Sequence, residues 1–285
     1  MVKAFFNGQL IEAGEAALPV LDRSVLFGDA VFETLRAYRG QLFRLDRHVE
    51  RMRRACAVLR FEPPPDGYIG SAAAEVLEAN GPFEGDARVR ITLTGGRFAG
   101  EPGLARSGKP GLIVTAVPYE PPARAYIEGI SLVISGIRRN TSSPISQLKT
   151  CNSLDSLMAR QEAFDRGADD AVMLTTAGNL AEATTSNLFF VEDGVVSTPD
   201  MGCAFLPGVT RDAVLENCRG EGIKCTPVMG GPELLFEADE VFLTNSMFEL
   251  LPVRILGDHA YDCPGPVRTR LHEAYRALVA SELSL

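Results

Sequence analysis

The sequence predicts a mixed α+β fold in two domains, a small N-terminal α/β domain and a larger, β-rich C-terminal domain with flanking helices. The chain of 285 residues can hold two modest domains or one large one. Strand-like alternation and helix-like spacing of apolar residues both recur along it. The proline-rich stretch Glu120–Arg124 lies between two strand patterns and is typical of a linker. We therefore expect a first domain over residues 1–119, a linker over 120–126 and a second domain over 127–285.

The first domain is predicted to begin with a small sheet. Apolar segments flank Asn7-Gly8, a two-residue turn that typically closes a β-hairpin. Residues 31–38 alternate like a strand that places Phe32, Thr34 and Arg36 on one face and then turns at Arg39-Gly40. The remaining predicted elements of this domain are helices over 45–59 and 68–79 and strands over 87–94 and 112–119.

The glycine-rich loop Gly95–Gly103 joins the last two strands of this domain and is predicted to be too mobile for the core. In the second domain, Asp193-Gly194 is expected to close another hairpin. The other predicted elements there are strands over 130–137, 171–175, 188–191 and 241–244, and helices from about 154 to 166, over 208–218 and over 267–283.

Composition excludes several classes of function. A net charge of −9 and a pI near 5.0 argue against nucleic acid or an anionic membrane as the main partner. The six cysteines include no CxxC pair and the three histidines are scattered, so we expect reduced thiols and no metal site. The N-terminus does not resemble a secretory signal, and no stretch approaches the roughly 20 apolar residues of a membrane span. The expected location is the cytoplasm.

Lys149 is the residue that we expect to carry the chemistry. It follows Ile145–Leu148 and precedes a helical pattern that begins at Leu154, which predicts a position between a strand and a helix. A lysine ammonium in a partly desolvated cleft loses proton affinity, and the free amine can form a Schiff base with an aldehyde cofactor.

Two later segments supply groups that complement such a cofactor. Glu182 precedes four small residues and an apolar run, which is typical of a polar loop leading into a strand, and its carboxylate could lie against a ring nitrogen. The segment Leu206–Arg211 has the proline and glycine of a helix start, whose unpaired N–H groups and Thr210 hydroxyl suit a phosphate. A lysine, a carboxylate and such a helix start are the parts needed to hold pyridoxal phosphate.

The ordered set of motifs resembles that of class IV (fold-type IV) pyridoxal-phosphate enzymes, the family of branched-chain aminotransferases, D-amino-acid aminotransferases and aminodeoxychorismate lyases. The resemblance covers nearly the whole chain and implies the fold-type IV architecture. It is carried by Leu21-Asp22-Arg23, Phe27-Gly28-Asp29, His48-Val49-Glu50-Arg51, Lys149, residues 182–190 and 206–211, and the late stretch 240–253.

The resemblance implies roles for the residues that contact the cofactor, pyridoxal 5′-phosphate. Lys149 binds its aldehyde and then moves the substrate Cα proton, while Glu182 keeps the ring nitrogen protonated. Arg51 contacts the phosphate in the family, and its guanidinium fork suits that task. His48 is expected to be structural. The other expected cofactor contacts are Thr185, Leu206, Val209, Thr210 and Ser246.

Four residues are expected on the substrate side: Phe32, Arg36, Arg97 and Met247. Arg97 stands where some members of the family bind the substrate carboxylate. D-amino-acid aminotransferases that resemble this chain carry a tyrosine in place of Phe32 and a histidine in place of Ala99, so that carboxylate trap is incomplete. Ser153 stands where branched-chain enzymes usually have tyrosine, whereas Asn245-Ser246-Met247 and Phe32-Glu33-Thr34 resemble the lyase branch.

Two reactions stay open. The first is transfer of an amino group from an amino acid or amine to a 2-oxo acid such as 2-oxoglutarate or pyruvate. The second is release of pyruvate from aminodeoxychorismate to give 4-aminobenzoate. A non-catalytic binding protein is a third interpretation, against which Lys149 and Glu182 together argue. The resemblance also implies a homodimer in which the neighbouring subunit's small domain helps to build each active site.

Overall fold

The computed structural model describes residues 2–285, which contain eight α-helices and fifteen β-strands. The helices are α1 Arg23–Phe27, α2 Leu45–Leu59, α3 Tyr68–Asn80, α4 Ala125–Glu128, α5 Leu154–Asp165, α6 Val209–Gly220, α7 Glu233–Phe236 and α8 Pro266–Leu283. The strands are β1 Lys3–Phe6, β2 Gln9–Glu12, β3 Ala30–Tyr38, β4 Gln41–Leu42, β5 Asp86–Thr94, β6 Leu112–Tyr119, β7 Ile130–Arg139, β8 Asp170–Thr175, β9 Leu180–Ala183, β10 Asn187–Glu192, β11 Val195–Pro199, β12 Cys225–Val228, β13 Glu240–Asn245, β14 Glu249–Leu256 and β15 His259–Ala260.

Contacts between Cα atoms group the chain into two compact units. The first unit contains the residues up to Glu120 together with the segment Leu148–Asn152. The second unit contains Pro121–Gln147 and Ser153–Leu285. The domain limits predicted above stay a prediction, and this grouping differs from them in assigning Lys149 to the first unit.

The first unit is built on a six-stranded sheet in the order β2-β1-β6-β5-β3-β4, in which all neighbours are antiparallel. Along β3, Val31 and Leu35 point into the core, so that Phe32 and Thr34 lie on the opposite face. Helices α2 and α3 contribute to the same core through apolar residues such as Met52. The predicted helix over 45–59 coincides with α2 because its apolar spacing is that of one buried helix face.

The segment Leu148–Asn152 lies along β3. The Phe32 N–H donates to the Lys149 carbonyl at 2.9 Å, and the Cys151 N–H donates to the Ala30 carbonyl at 2.9 Å. These two hydrogen bonds explain why the lysine belongs to the first unit although most residues that follow it belong to the second.

The strand predicted immediately before Lys149 is wrong, whereas the helix predicted after it is confirmed as α5. Residues Pro144–Gln147 form a 3-10 helix. Its backbone bonding is local, since the Ser146 N–H donates to the Ser143 carbonyl at 3.2 Å.

Three predicted two-residue turns are confirmed. Asn7-Gly8 joins β1 to β2, Arg39-Gly40 joins β3 to β4, and Asp193-Gly194 joins β10 to β11. All six residues have positive φ angles, between 48° and 94°. A type I′ hairpin requires this conformation at both central positions, which is why a glycine occupies the second position of each turn.

The second unit is built on a nine-stranded mixed sheet in the order β12-β11-β10-β13-β14-β7-β8-β9, with β15 paired to β14. Strand β7 runs parallel to both β8 and β14, and β11 runs parallel to β12. The sheet curls, because β9 at one end of this order also contacts β10 and β11. The predicted mixed α+β fold is confirmed.

Glu182 was predicted to lie in a polar loop, and this placement is wrong. It lies within β9, all four residues of which are buried. A strand that is buried on both faces has no polar–apolar alternation, so the sequence pattern gave no sign of it. The polar loop itself is the short turn over 184–186 between β9 and β10.

Within residues 2–285, no helix is long and apolar enough to cross a membrane. Over the same residues, no cluster of three or more His, Cys, Asp or Glu side chains is arranged to hold a metal ion. All six cysteines are free thiols.

Candidate active site

Lys149 lies beside Phe32 on the face of the first unit's sheet that is opposite α2 and α3. Its Nζ is 4.6 Å from the centroid of the Phe32 ring. Arg90, on the neighbouring strand β5, stacks on the same ring with its Cζ 3.8 Å from the centroid. Two cations therefore contact one aromatic side chain, an arrangement favoured by the negative face of the ring.

Arg90 is a candidate functional residue that the sequence patterns did not single out. Burial lowers the pKa of Arg90, and the neighbouring Cys151 side chain opposes that shift. Across the part of the chain that the structure describes, neither Arg90 nor Arg88 forms an ion pair with a carboxylate. The alternation Arg88-Val89-Arg90 within a predicted strand was the available signal, because it places two cations on the face of Phe32.

Arg36 lies on the same face of β3 but its charge has a counter-ion. Its Nε donates to Asp86 at 2.7 Å, and its guanidinium stacks on the rings of Tyr38 and Tyr119 at 4.5 and 5.3 Å. Arg36 is buried, with 7% of its surface exposed. Its predicted role in substrate binding stays a prediction, and Phe32 is the predicted substrate residue that the structure brings next to Lys149.

The loop that carries Arg97 is anchored at its base, although the sequence predicted a mobile loop. Arg106 donates to Asp29 at 2.8 and 2.9 Å and to the Gly95 carbonyl at 3.0 Å. Arg23 donates to Asp29 at 2.7 Å and to the Gly103 carbonyl at 2.8 Å. The side chain of Arg97 itself is exposed.

Arg51 belongs to a buried cluster that joins α2 to β3. Its Nε and Nη2 donate to the two carboxylate oxygens of Glu33 at 2.8 and 2.5 Å. His48 Nδ1 lies 2.7 Å from Oε2 of the same carboxylate. Glu33 is 1% exposed and His48 2% exposed. His48, which was expected to be structural, thus has Glu33 as a specific partner.

The protonation states of this cluster follow from its contacts. Burial raises the pKa of Glu33, but the charge and hydrogen bonds of Arg51 and the hydrogen bond of His48 outweigh it and lower the pKa to about 2. Burial lowers the pKa of His48 against the opposing effect of Glu33. At neutral pH an ionised Glu33 can only accept, so the neutral His48 ring donates from Nδ1.

Glu182 is the centre of the corresponding cluster in the second unit. It is 4% exposed, and its Oε1 accepts two hydrogen bonds from Arg139, of which the Nε bond is 2.9 Å long. Its Oε2 accepts the Leu206 N–H at 3.2 Å. The amide of Asn187 donates to the Leu206 carbonyl at 2.8 Å. The carboxylate and amide therefore tie the segment before α6 to strands β9 and β10.

Helix α6 begins as predicted, with Gly208 as its N-cap and no side chain bonded to its first N–H groups. A Cβ on Gly208 would lie 2.0 Å from Asn187 Oδ1, so only glycine fits there. The first N–H groups of a helix have no partner inside it and suit an anion. Val209 and Thr210 are buried at this end of the helix.

Ser246 and Met247 lie in the turn between β13 and β14. Asn245 Oδ1 accepts the N–H groups of Met247 and Phe248 at 2.9 and 3.0 Å, which fixes the turn. Asn245 Nδ2 donates to the Thr185 carbonyl at 3.3 Å. The structure thus brings Ser246, Met247 and Thr185 together, although the side chain of Thr185 is exposed.

Comparisons with known proteins match nearly the whole chain. The model of the family described as amino-transferase class IV matches residues 30–256. The chain is 32% identical over 256 residues to the putative branched-chain-amino-acid aminotransferase of Methanocaldococcus jannaschii, covering 88% of this chain and 87% of that one. It is 31% identical to the aminodeoxychorismate lyase of Bacillus subtilis, with 87% and 84% covered. It is 27% identical to the D-alanine aminotransferase of Bacillus licheniformis, with 99% and 98% covered.

A solved enzyme structure that contains a form of the cofactor has the same fold. A branched-chain amino acid aminotransferase from T.th., crystallised with pyridoxamine 5′-phosphate, superposes with a TM-score of 0.90 at 31% identity, covering 98% of this chain and 94% of that one. The fold and the matches to known proteins together identify the chain as a pyridoxal-phosphate enzyme. The chain belongs to the class IV aminotransferase family, and its cofactor is pyridoxal 5′-phosphate.

Proposed function

We propose that this protein is an aminotransferase that moves an amino group between an amino acid, or an amine, and a 2-oxo acid such as 2-oxoglutarate or pyruvate. One observation carries the proposal: Lys149 and Arg90 both contact the ring of Phe32, and Arg90 is a cation without a carboxylate partner in the described part of the chain. A reactive amine next to a cation that can bind a carboxylate suits an amino-acid or 2-oxo-acid substrate.

The residues present fit the cofactor. The helix start at Gly208 lacks a side-chain cap and is buried at Thr210, so its N–H groups suit the phosphate. Arg51 adds a guanidinium for the same group, and Ser246 adds a hydroxyl. Glu182 offers a buried carboxylate for the pyridine nitrogen. Leu206, Val209 and Thr185 are the remaining proposed contacts.

Pyridoxal phosphate, when bound, supplies an aldehyde and a ring that accepts electrons. Lys149 would hold the cofactor through its aldehyde, and its amine would move the proton between the substrate Cα and C4′. Glu182 would keep the ring nitrogen protonated, and Arg139 orients that carboxylate through its two hydrogen bonds.

The substrate carboxylate is proposed to lie near Arg90. In an α-amino acid only one C–C bond, of about 1.5 Å, separates Cα from the carboxylate. A residue that binds the carboxylate must therefore lie near the amine that removes the Cα proton, and Arg90 is a candidate because it contacts the same ring, that of Phe32, as Lys149. Arg97, Arg36 and Met247 are proposed to contribute from the loop, the strand and the late turn.

Aminodeoxychorismate lyase is the second candidate. The lyase of Bacillus subtilis is 31% identical to this chain, against 32% for the putative branched-chain enzyme, so identity does not separate the two reactions. The sequences Asn245-Ser246-Met247 and Phe32-Glu33-Thr34 favour the lyase branch by resemblance.

Two assays on one preparation test the proposal. The first measures amino transfer from a panel of L- and D-amino acids and amines to 2-oxoglutarate or pyruvate, scored by the change in cofactor absorbance. The second measures 4-aminobenzoate and pyruvate formed from aminodeoxychorismate. Transfer without 4-aminobenzoate supports the aminotransferase, whereas the reverse result establishes the lyase.

We propose a homodimer in the cytoplasm, as expected from the sequence. Exposed apolar side chains support an interface: Leu154, Leu157 and Met158 share one face of α5 and are 71%, 58% and 61% exposed. In the first unit, Val20 and Phe27 are also exposed. A stable interface would bury over about 1,000 Å². Sedimentation at micromolar concentration should give twice the chain mass, and a fully active species of 30.7 kDa would contradict the dimer.

A further inference from the structure

We propose that Glu33 and His48 are positioning residues that orient the Arg51 guanidinium toward the cofactor phosphate and thereby set the affinity for the cofactor. The inference rests on the proposed function, in which Arg51 binds that phosphate. It assigns a role to a carboxylate to which the sequence motifs gave no role of its own.

The geometry of the cluster fixes Arg51 from one side. Both oxygens of Glu33 receive the Arg51 fork, with bonds of 2.8 and 2.5 Å from Nε and Nη2. A bidentate pair of this kind holds the plane of the guanidinium as well as its position. His48 is three residues before Arg51 on α2, and such residues lie on the same helix face. One carboxylate on β3 therefore holds both side chains.

The position of Glu33 within β3 argues for a role beyond core stability. It lies between Val31 and Leu35 on the strand face that packs into the apolar core of the first unit. A buried ion pair often stabilises a fold no more than apolar residues of similar size do. Glu33 is fully buried, whereas Arg51 retains 12% exposure of its side chain. The buried partner thus holds an arginine that is still accessible to a ligand.

His48 completes the arrangement by holding the carboxylate itself. Its Nδ1 lies 2.7 Å from Oε2, the oxygen that also accepts Arg51 Nη2. Without this bond, Glu33 could rotate about its terminal torsion, which is a broad and soft one. Rotation would tilt the guanidinium plane, so His48 acts on the phosphate site through two successive contacts.

Positioning and simple electrostatics predict opposite effects on phosphate binding. Glu33 carries a negative charge next to Arg51 and so opposes an approaching phosphate. If charge dominated, the neutral variant Glu33→Gln would bind the phosphate more tightly. If orientation dominates, the same variant binds it more weakly, because an amide accepts the fork through one oxygen only.

The experiment measures dissociation constants of the full-length apoprotein for pyridoxal phosphate and for pyridoxal, which lacks the phosphate, by absorbance titration. We expect Glu33→Gln to weaken pyridoxal phosphate binding about tenfold, a loss of one strong interaction, and to leave pyridoxal binding unchanged. Unchanged or tighter binding of pyridoxal phosphate overturns the proposal. Should Glu33→Gln fail to fold, Glu33→Asp serves the same purpose, because it keeps the charge, is one methylene shorter and should weaken binding similarly.

His48 variants test the second contact. The Asn side chain can place an N–H donor near the position of His48 Nδ1, so His48→Asn should retain most of the affinity for pyridoxal phosphate, whereas His48→Ala should lose about three- to tenfold. Equal affinities in these two variants would overturn the role of His48.

Arg51→Ala separates the inference from the proposed function on which it rests. If Arg51→Ala weakens pyridoxal phosphate selectively and Glu33→Gln does not, the positioning role alone is overturned. If Arg51→Ala has no effect, Arg51 does not bind the phosphate. Both its proposed phosphate role and the positioning role of Glu33 and His48 are then overturned.

Asp29→Asn is the matched control, because Asp29 is another buried carboxylate of the first unit that pairs with arginines, Arg23 and Arg106. It should lower the unfolding temperature without changing the ratio of the two dissociation constants.

Discussion

Glu33 and Glu182 are buried carboxylates that each pair with one arginine, yet they use their oxygens differently. Glu33 receives the Arg51 fork on both oxygens, with a further short bond from His48. Glu182 receives both bonds of Arg139 on Oε1 alone, and its Oε2 accepts the Leu206 N–H over a longer distance of 3.2 Å. Side chains thus donate to both oxygens of Glu33, whereas a backbone N–H donates to Oε2 of Glu182.

The difference indicates which partner of each pair faces a ligand. An ionised carboxylate has about four acceptor sites, so Glu182 can accept a further donor such as a protonated ring nitrogen. The three bonds that Glu33 accepts all come from Arg51 and His48, so this carboxylate holds those two side chains in place. The proposed function accordingly uses the carboxylate in the Glu182–Arg139 pair and the arginine in the Glu33–Arg51 pair. An ion pair by itself would not have distinguished these roles.

The largest effect is expected from Lys149→Ala, which removes the reactive amine of the proposed active site. The chain has four lysines, Lys3, Lys109, Lys149 and Lys224, so the attachment site can be identified unambiguously. We expect the variant to lose the visible absorbance of the bound cofactor and to lose turnover, because no other amine lies beside Phe32 and Arg90 in the described chain.

Borohydride reduction followed by peptide mass spectrometry provides the measurement and its control. The wild-type protein and Lys109→Ala should both yield a cofactor-modified peptide that contains Lys149. A covalent adduct in Lys149→Ala, on any of the other three lysines, would show that the assignment of the reactive amine is wrong.

Glu182→Gln should have the next largest effect, on the rate and not on cofactor affinity. A neutral amide cannot stabilise a proton on the ring nitrogen, so we expect single-turnover amino transfer to slow by about 10²- to 10³-fold while the cofactor stays bound. Stopped-flow absorbance gives the rate and the same spectra give cofactor content. Glu33→Gln is the informative counterpart, since it should change affinity and leave the rate at saturating cofactor nearly intact. Exchanged phenotypes would reverse the roles argued for the two carboxylates.

Sequence patterns predicted several of the helices, strands and turns of the chain. They did not predict which side chains of those elements contact one another. The apolar spacing over 45–59 defined α2 and its buried face, and the glycine of Asn7-Gly8 defined a turn, because both signals are local. Glu33 meets Arg51 across 18 residues, and no periodicity reports which residue on a strand faces which residue on a helix. Strand β9 was missed for a different reason, since all its residues are buried.

Arg90 shows where a correct pattern led to an incomplete list of candidates. The strand over 87–94 was predicted and is confirmed as β5, but alternating arginines in a strand look like an ordinary solvated face. Only the pairing of β5 with β3 and of β3 with the Lys149 segment brings Arg90 to the lysine. The position of this candidate residue is therefore fixed by the order of the strands in the sheet, which no local sequence pattern reports.

A smaller effect, about tenfold, is expected for substrate binding when Arg90 is replaced. Arg90→Ala should raise KM for amino acids and 2-oxo acids by about this factor, the loss of one charged hydrogen bond, with little change for a substrate amine that lacks a carboxylate. Arg88→Ala is the matched control, because Arg88 is on the same strand and the same face but has no contact with Phe32. Equal effects of the two variants would mean that general positive charge, and not Arg90, binds the carboxylate.

The smallest expected difference is between two hydroxyl residues, Ser246 and Thr185, that the proposed function places in contact with the cofactor. Ser246 lies half-buried in the turn that Asn245 organises, whereas the side chain of Thr185 is exposed and only its carbonyl contacts that turn. A neutral hydrogen bond contributes about 1 kcal/mol, so Ser246→Ala should weaken pyridoxal phosphate about fivefold, and Thr185→Ala should change it by less than about twofold. The same absorbance titration measures both. If Thr185→Ala had the larger effect, the exposed hydroxyl would have to turn inward on binding, and the turn over 184–186 would rearrange when the cofactor enters.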